Sequence, residues 1–390
     1  MKIALIVTSL GVGGAEVQVM NLADRLDASG HEVLVISMMD EIALAPRRAS
    51  VRVRSLGVEK TLSSLARGYA RARRMMRDFA PEVVHSHMVH ANLFSRLLRL
   101  SAPVPRLICT AHSINEGGAL RMWLYRVTDA LAHLTTNVSQ AAVDHYLACS
   151  AISPGKALAV YNGIDCDQFR FDPALREALR TKFDVPAGTQ VLLAAGRICE
   201  AKDYPNLLRA FAAVAAQRPD CVLWIAGAGS AQGVAELRTQ VDALEPALRG
   251  RVRLLGLRRD VHALMCAADI FVLSSCFEGF PLVVGEAMAC ERTVVCTDAG
   301  GTAEWLGPAG SVVPVRDSGA LAQALLSALD VDPHARRLQG AAARERILTH
   351  YSLAAVTRKW ERIYRGMGAA DQADAAGAAV EMNRQVIEKG

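Results

Sequence analysis

The sequence predicts an α/β protein made of two doubly wound parallel-sheet domains. Its 390 residues are more than one hydrophobic core usually serves. Short apolar runs, typical of buried strands, alternate with helix-like segments in both halves of the chain. A hydrophobic content of 52% with 21% charged residues is typical of a soluble globular chain, and no apolar run approaches the roughly 18 residues of a membrane span.

The first half is predicted to contain six strands separated by helices. They are placed at residues 2–8, 31–38, 51–56, 81–86, 106–110 and 135–139. The first strand is followed by a glycine turn with Gly13 and Gly14, and then by a helix, an arrangement in which a phosphate can approach main-chain amides. Glu16 occupies the third glycine position of a dinucleotide fingerprint, so the turn is not that fingerprint.

A helix predicted over residues 62–79 carries many arginines. The residues on its apolar stripe are Leu62, Leu65, Tyr69, Met76 and Phe79, and its basic residues are Arg67, Arg71, Arg73, Arg74 and Arg77. The formal charge of +5 arises within residues 1–150, because the remainder has equal numbers of basic and acidic residues. The basic face is either simply solvated or in contact with anionic lipid. Nucleic acid is not expected as a partner, since aromatic residues do not alternate with the basic ones.

Three histidines in the first half are candidate site residues. His85 and His87 are two apart in a predicted strand and therefore share a face. No cysteine or carboxylate cluster accompanies them, so no metal site is predicted. His112 comes directly after the strand at 106–110, and ligands of open α/β sheets bind at the carboxyl ends of strands.

The second half is predicted to repeat the alternation. Its strands are placed near residues 190–195, 221–226, 251–255, 269–273 and 292–297. Arg197 and Lys202 lie on the loop after the first of these strands. An arginine fork and a lysine ammonium on one such loop can converge on a diphosphate.

The segment 274–289 contains two spaced carboxylates. Glu278 lies on the loop after a buried strand, a helix begins near Pro281, and Glu286 is expected about two turns inside it. We expect the carboxylates roughly 10 Å apart, which suits the two ends of an elongated ligand better than an acid–base pair on one bond. Main-chain groups of residues 279–282 lie at the start of the helix, where an anion is favoured.

Residues 278–289, Glu-Gly-Phe-Pro-Leu-Val-Val-Gly-Glu-Ala-Met-Ala, resemble the E-x7-E signature of retaining, nucleotide-sugar-dependent glycosyltransferases of family 4. The segments at 13–16 and 162–165 also resemble this family, as does 196–202, although Asp203 replaces the glycine that follows the lysine. The resemblance covers roughly residues 1–366.

This resemblance implies a GT-B fold, in which two Rossmann-like domains face a cleft. The first, acceptor-side domain would span residues 1–168 with a returning helix at 351–366. The second, nucleotide-sugar-binding domain would span 169–350, and residues 367–390 are expected to form a mobile tail.

The resemblance also implies roles for individual residues. Catalysis would involve His112 beside the anomeric carbon, together with Arg197, Lys202 and Glu278. His85 and His87 would lie on the acceptor side. The residues expected to bind the donor are Gly13, Gly14, Arg197, Lys202, Leu257, Glu278, Gly279, Phe280, Pro281, Leu282 and Glu286.

The implied reaction transfers a hexose or N-acetylhexosamine, with retention, from a nucleotide diphosphate sugar to an acceptor hydroxyl. Family frequency favours UDP, and the acceptor is expected in surface polysaccharide, lipopolysaccharide or glycolipid assembly. Neither a cofactor nor a metal is expected, because protein cations would stabilise the leaving diphosphate. Two alternatives remain open: a UDP-sugar epimerase on the same fold, which needs no acceptor, and a non-catalytic nucleotide-sugar-binding protein, which releases no nucleotide.

A cytoplasmic location is expected, with peripheral contact at the inner membrane through helix 62–79. The nine cysteines are scattered without a Cys-x-x-Cys pair, which favours reduced thiols. The basic first domain favours an acceptor close to the membrane.

Overall fold

The computed structural model describes residues 1–11, 13–114 and 116–366, which divide into two units, each with its own sheet. The first unit contains residues 1–161 together with the described residues from Leu353 onward, and the second contains Asn162–Ser352. The predicted boundary between residues 168 and 169 thus falls shortly after the observed one. The predicted tail, 367–390, lies outside the described residues.

Within the described residues, the first unit has a seven-stranded parallel sheet of order β3-β2-β1-β4-β5-β6-β7. The strands are β1 (Lys2–Val7), β2 (Glu32–Ser37), β3 (Arg52–Ser55), β4 (Val83–His87), β5 (Arg106–Ala111), β6 (Leu134–Asn137) and β7 (Ala157–Ala159). The helices are α1 (Gly14–Ala28), α2 (Leu62–Phe79), α3 (Val89–Leu98), α4 (Ala119–Thr128) and α5 (Gln140–Ala148). All six predicted strands are confirmed, whereas the edge strand β7 is too short to give a sequence pattern.

Helix α2 has the predicted bounds but turns a different face to the sheet. The residues it buries are Ser64, Gly68, Ala72, Met76 and Phe79. Leu62 and Leu65 are exposed, so the predicted apolar stripe is wrong at these two positions. The reason is steric: Gly68 lies so close to Val58 that a Cβ on Gly68 would overlap the valine methyl group. The small side chains on the buried face let α2 pack closely against the rest of the unit, and the two leucines are left exposed to solvent.

The second unit has, within the described residues, a six-stranded parallel sheet of order β10-β9-β8-β11-β12-β13. The strands are β8 (Gln190–Ala195), β9 (Cys221–Ala226), β10 (Val252–Gly256), β11 (Ile270–Leu273), β12 (Thr293–Thr297) and β13 (Ser311–Val313). The helices are α6 (Pro173–Lys182), α7 (Tyr204–Gln217), α8 (Ala231–Asp242), α9 (Pro246–Arg249), α10 (Val261–Ala267), α11 (Leu282–Ala289), α12 (Thr302–Leu306), α13 (Ser318–Asp330) and α14 (Pro333–Arg346). The five predicted strands are confirmed, and β13 was not predicted.

The last described helix, α15 (Leu353–Tyr364), belongs to the first unit. Three apolar residues recur at helical spacing in this helix: Val356, Trp360 and Ile363. They are buried in the hydrophobic cluster that also contains residues 3, 5 and 7 of β1. This apolar stripe explains why the end of the described chain packs there.

Both sheets reverse their strand order beside their first strand, between β1 and β4 and between β8 and β11. In doubly wound sheets, this switch point leaves a crevice at the carboxyl ends of the two strands, where ligands bind. Ligand-binding residues are therefore expected on the loops after β8 and β11 in the second unit. In the first unit they are expected on the loops after β1 and β4.

Candidate active site

The second unit brings Lys202 and Glu278 into direct contact. Lys202 follows β8, and Glu278 follows the adjacent strand β11. The Lys202 ammonium donates to a Glu278 carboxylate oxygen at 2.6 Å. Their side chains are 15% and 14% exposed, so the pair is largely shielded from water but still accessible to a ligand. Both residues were predicted from the sequence as site residues, but their pairing was not.

Neighbouring hydroxyl groups fix this pair in place. Ser275 donates to the same Glu278 oxygen at 2.6 Å, and Ser274 donates to the Lys202 carbonyl at 2.8 Å. Thr297, at the end of β12, donates to the Ser275 carbonyl at 2.5 Å. These three residues were not predicted from the sequence. The position of the two serines, immediately after a buried strand, could have indicated that they lie at the site.

Arg197 is exposed and, within the described residues, its guanidinium has no hydrogen bond or ion pair. Its loop is held by the glycine turn after β9. The Ile198 amide donates to the Ala228 carbonyl at 2.8 Å. A Cβ on Gly227 would overlap the Gly196 carbonyl, and one on Gly229 would overlap the carbonyl of Ile198. The glycine turn therefore packs against the main chain on both sides of Arg197 and holds this loop in place.

The helix begins where predicted, at Leu282 with Pro281 as its N-cap. Glu286 is four residues further on and therefore lies about one turn inside α11, not the predicted two. Desolvation by burial raises the pKa of Glu286 to about 7. The carboxyl group therefore titrates near neutral pH in the ligand-free protein.

In the loop before α11, residues 279–281, the main chain and not the side chains is available to contact a ligand. The Phe280 ring is buried and stacks on Trp305 with ring centroids 4.2 Å apart. The Gly301 amide donates to the Gly279 carbonyl at 2.9 Å. Gly300 has φ +62°, and a Cβ there would overlap the Glu278 carbonyl. Only glycine fits at this approach to the Glu278 loop.

Leu257 follows β10 directly and is exposed. The preceding residue, Gly256, has φ +66°, so the chain turns sharply where the strand ends. This position leaves Leu257 free to contact a ligand, and its predicted role beside the base stays a prediction.

In the first unit, His112 shares a hydrogen bond with His87. His87 Nδ1 and His112 Nε2 are 3.2 Å apart. Burial lowers the pKa of His112 to about 4 and that of His87 well below its ordinary value, so both imidazoles are neutral at pH 7. His87 Nε2 is buried and has no hydrogen-bond partner among the described residues.

His85 is completely buried. Its Nδ1 lies 2.7 Å from the Tyr364 hydroxyl, and its Nε2 lies 2.6 Å from the Thr110 hydroxyl. The rings of His85 and His87 are 4.0 Å apart, which confirms that they share a face. With both nitrogens engaged inside the unit, His85 offers no surface to an acceptor.

The glycine turn after β1 ends where α1 begins, at Gly14, with Gly13 as N-cap. A Cβ on Gly13 would meet the Glu16 carboxylate, the mobile end of a long side chain that can move aside. Val12 lies outside the described residues. The amides of Gly13 and Gly14 stay candidates for donor binding.

Two Asp-x-Asp triplets occur in the chain, at residues 165–167 and 330–332. Asp165 accepts hydrogen bonds from two nearby main-chain amides, and Asp332 does the same at the start of α14. These carboxylates act as local caps. Across the described part of the chain, no group of three or more His, Cys, Asp or Glu side chains is arranged to hold a metal ion.

The fold and the site together define a class of protein: GT-B proteins, whose two Rossmann-like units include one with charged loops at its switch point. HepE from Anabaena, solved in complex with UDP, has this fold; it superposes with a TM-score of 0.83 at 22% identity and covers 94% of this chain and 100% of its own. A glycosyltransferase from Rickettsia africae superposes with a TM-score of 0.82 at 20% identity, over 93% of this chain and 98% of its own. The predicted GT-B fold is thereby confirmed.

Sequence comparison identifies the family. Residues 12–168 match Glycosyltransferase Family 4, and residues 189–330 match Glycosyl transferases group 1. The alpha-maltose-1-phosphate synthase of Mycolicibacterium smegmatis is 30% identical over 74% of this chain and 80% of its own. An N-acetylgalactosaminyltransferase of Campylobacter jejuni, named for a diphospho-undecaprenol-linked substrate, is 27% identical over 85% of this chain and 91% of its own. The chain belongs to the family 4 glycosyltransferases.

No helix within the described residues is both long enough and apolar enough to span a lipid bilayer.

Proposed function

We propose that the chain is a retaining, metal-independent glycosyltransferase that moves a hexose or N-acetylhexosamine from a UDP-sugar to a hydroxyl of a lipid-linked acceptor. Its role would be in surface polysaccharide or glycolipid assembly at the cytoplasmic face of the inner membrane. The observation that carries the proposal is the Lys202–Glu278 pair at the switch point of the second unit. UDP bound to HepE and the lipid-linked substrate named for the Campylobacter relative support it.

The main chemical task is to stabilise charge on the leaving diphosphate as the glycosidic bond breaks. Preorganised positive groups are the strongest means of doing so. Lys202 is held in place by Glu278, and Arg197 is an uncompensated guanidinium on the same loop. Both would bind the diphosphate, and Glu278 would accept a hydrogen bond from a hydroxyl of the donor sugar.

Two further groups complete the proposed binding mode. The Glu286 carboxylate would accept hydrogen bonds from the ribose hydroxyls. The neutral imidazole of His112 would contact the transferred sugar, oriented by its hydrogen bond to His87. Retention would follow from attack on the face that the diphosphate leaves, with the departing phosphate accepting the proton of the acceptor hydroxyl.

A thermal-shift screen against nucleotides and nucleotide sugars tests the donor assignment. A donor that binds the folded protein raises its melting temperature, and we expect the largest increase with UDP and UDP-sugars. NMR of the product formed on a lipid-linked acceptor would then give the anomeric configuration. Equal responses to all nucleotides, or an inverted product, would rule out the corresponding part of the proposal.

A further inference from the structure

Helix α4 has an apolar face that no described residue of its own unit covers. Leu120, Trp123 and Val127 are 69%, 55% and 53% exposed, and their spacing places them on one stripe of the helix. Met122 and Tyr125, on the other side, are buried in the unit. Packing within the unit therefore explains one face of α4 but not the other, and exposed apolar patches of this kind mark interaction surfaces.

The neighbouring helix adds to this surface. Leu97, in the last turn of α3, and Leu100, two residues after the helix ends, are also exposed. The Asn92 side chain donates to the Tyr125 hydroxyl at 2.7 Å, and Arg96 donates to the Tyr125 carbonyl at 2.8 Å, so the two helices are joined. Because β4, β5 and β6 are adjacent, their right-handed crossovers put α3 and α4 on the same face of the sheet. We call Leu97, Leu100, Leu120, Trp123 and Val127 the α3–α4 ridge.

Helices α2, α3 and α4 are mainly basic, and Asp78 of α2 is the one acidic residue among them. Helix α4 contains Arg121 and Arg126 and no acidic residue. On α2, the exposed arginines that form no hydrogen bond or ion pair within the described residues are Arg67, Arg74 and Arg77. A helix that exposes leucine and tryptophan next to arginines has the composition of helices that lie in the interface of anionic membranes.

We infer that the α3–α4 ridge docks on an anionic phospholipid surface, with Trp123 at the level of the head groups. The α2 arginines then supply long-range electrostatic attraction to such a surface, while α4 supplies an apolar contact that was not predicted from the sequence. This inference rests on the proposed function in one respect: α4 follows His112 in the chain, so docking would bring that loop towards a lipid-linked acceptor.

Tryptophan fluorescence tests the inference on the unmodified protein. Trp224, Trp305 and Trp360 are buried, whereas Trp123 is exposed, so a change on adding vesicles reports on Trp123. With phosphatidylcholine vesicles containing about one-third phosphatidylglycerol, we expect a blue shift of the emission and quenching by brominated lipid. Pure phosphatidylcholine should give a much weaker response. No response to the anionic vesicles would overturn the inference.

A double variant, Leu120→Ser with Val127→Ser, keeps the tryptophan reporter. We expect its partition onto the anionic vesicles to fall about tenfold or more, because two apolar side chains that would enter the membrane interface are lost. Leu338→Ser, which changes an exposed leucine of the second unit, is the matched control and should bind as wild type. Unchanged partition of the double variant would contradict the inference. So would a wild-type dimer that the double variant converts to a monomer, since the ridge would then be a contact between copies.

Neither vesicle experiment uses a donor. The thermal shift with UDP should be the same in the double variant and in the wild type, because all substituted residues lie outside the donor site. A protein that binds UDP but not vesicles loses only this inference. One that binds vesicles but no nucleotide loses the proposed function and keeps the docking surface.

Discussion

At the scale of single residues, Lys202 and Glu278 neutralise each other before any ligand is present. Arg197, on the same loop, has no such partner within the described residues. Arg197 therefore keeps its full charge for a ligand, whereas Glu278 already offsets part of the charge of Lys202. Replacing these two cations should consequently have different effects on stability, although both should reduce catalysis.

Arg197→Ala should lower kcat by about 10²–10³-fold, the usual effect of removing one preorganised electrostatic donor. The melting temperature should stay within the error of the wild-type value, since no intramolecular contact is lost. Lys202→Ala should lower kcat comparably and also reduce stability, because a largely buried Glu278 carboxylate loses its counter-ion. UDP release and thermal melts measure both effects, with Lys182→Ala as the exposed-lysine control. Wild-type rates in either site variant would remove the diphosphate role.

Glu286 predicts a pH dependence of UDP binding. Its pKa is about 7 because burial disfavours the carboxylate, and the ribose hydroxyls that we propose as its partners would donate to the charged form. The affinity for UDP should therefore fall by up to about tenfold per pH unit as the pH drops below 7, and calorimetry from pH 5.5 to 8.5 would measure it. Glu286→Gln should bind more weakly at pH 8 but without this slope.

The same carboxyl group also affects stability, with a definite sign. Its pKa is raised on folding, so the folded protein loses stability as the pH rises from the unfolded value of 4.5 towards 7, and the loss is complete above 7. Glu286→Gln should therefore raise the melting temperature at pH 8 and have little effect below pH 4.5. A variant that melts like the wild type at both pH values would contradict a raised pKa of the Glu286 carboxyl group.

At the scale of elements, glycine turns decide where the charged loops lie. The glycine turn after β9 packs against the main chain that carries Arg197, and Gly300 packs against the Glu278 loop. The loops could be predicted from the strand–loop–helix pattern. The need for glycine could not, because it arises from segments that are distant in the sequence and meet only in the folded sheet.

Gly227→Ala should disturb the Arg197 loop, since its Cβ would overlap the Gly196 carbonyl. We expect a loss of roughly 1–3 kcal/mol in the free energy of unfolding and weaker UDP binding. Gly250→Ala, whose Cβ would meet only the Pro246 carbonyl at an ordinary 3.7 Å, is the control. Chemical denaturation and UDP titration measure the two effects, and equal behaviour of both variants would show that the turn does not support the loop.

At the scale of the whole molecule, the chain returns to its first unit through α15 after completing the second. Tyr364 shares a hydrogen bond with the buried His85, and Glu361 lies 3.1 Å from His31. These polar contacts add specificity to the apolar packing of α15. The first unit is therefore stabilised by residues of α15 that lie more than 250 positions along the chain from their hydrogen-bond partners.

Tyr364→Phe should lower the free energy of unfolding by about 1–3 kcal/mol, because His85 Nδ1 loses its buried partner. UDP affinity should be unchanged, since the charged residues proposed to bind it lie in the second unit. Tyr69→Phe, which removes an exposed hydroxyl, should cost less than about 0.5 kcal/mol. Denaturant melts and UDP titration distinguish these outcomes; an equal loss in both variants would argue against the buried hydrogen bond.

The sequence alone determined the class of fold, eleven of the strands, the family and the loops that carry Arg197, Lys202 and Glu278, because hydrophobic periodicity and local motifs are properties of neighbouring residues. The tertiary structure decided which groups meet: the Lys202–Glu278 pair, the buried state of His85, the pKa of Glu286 and the outward side of α2. Contacts of this kind depend on how strands distant in the chain are placed side by side, and on the small side chains that let helices approach them. The folded chain also reveals an apolar face of α4 that the described residues leave exposed.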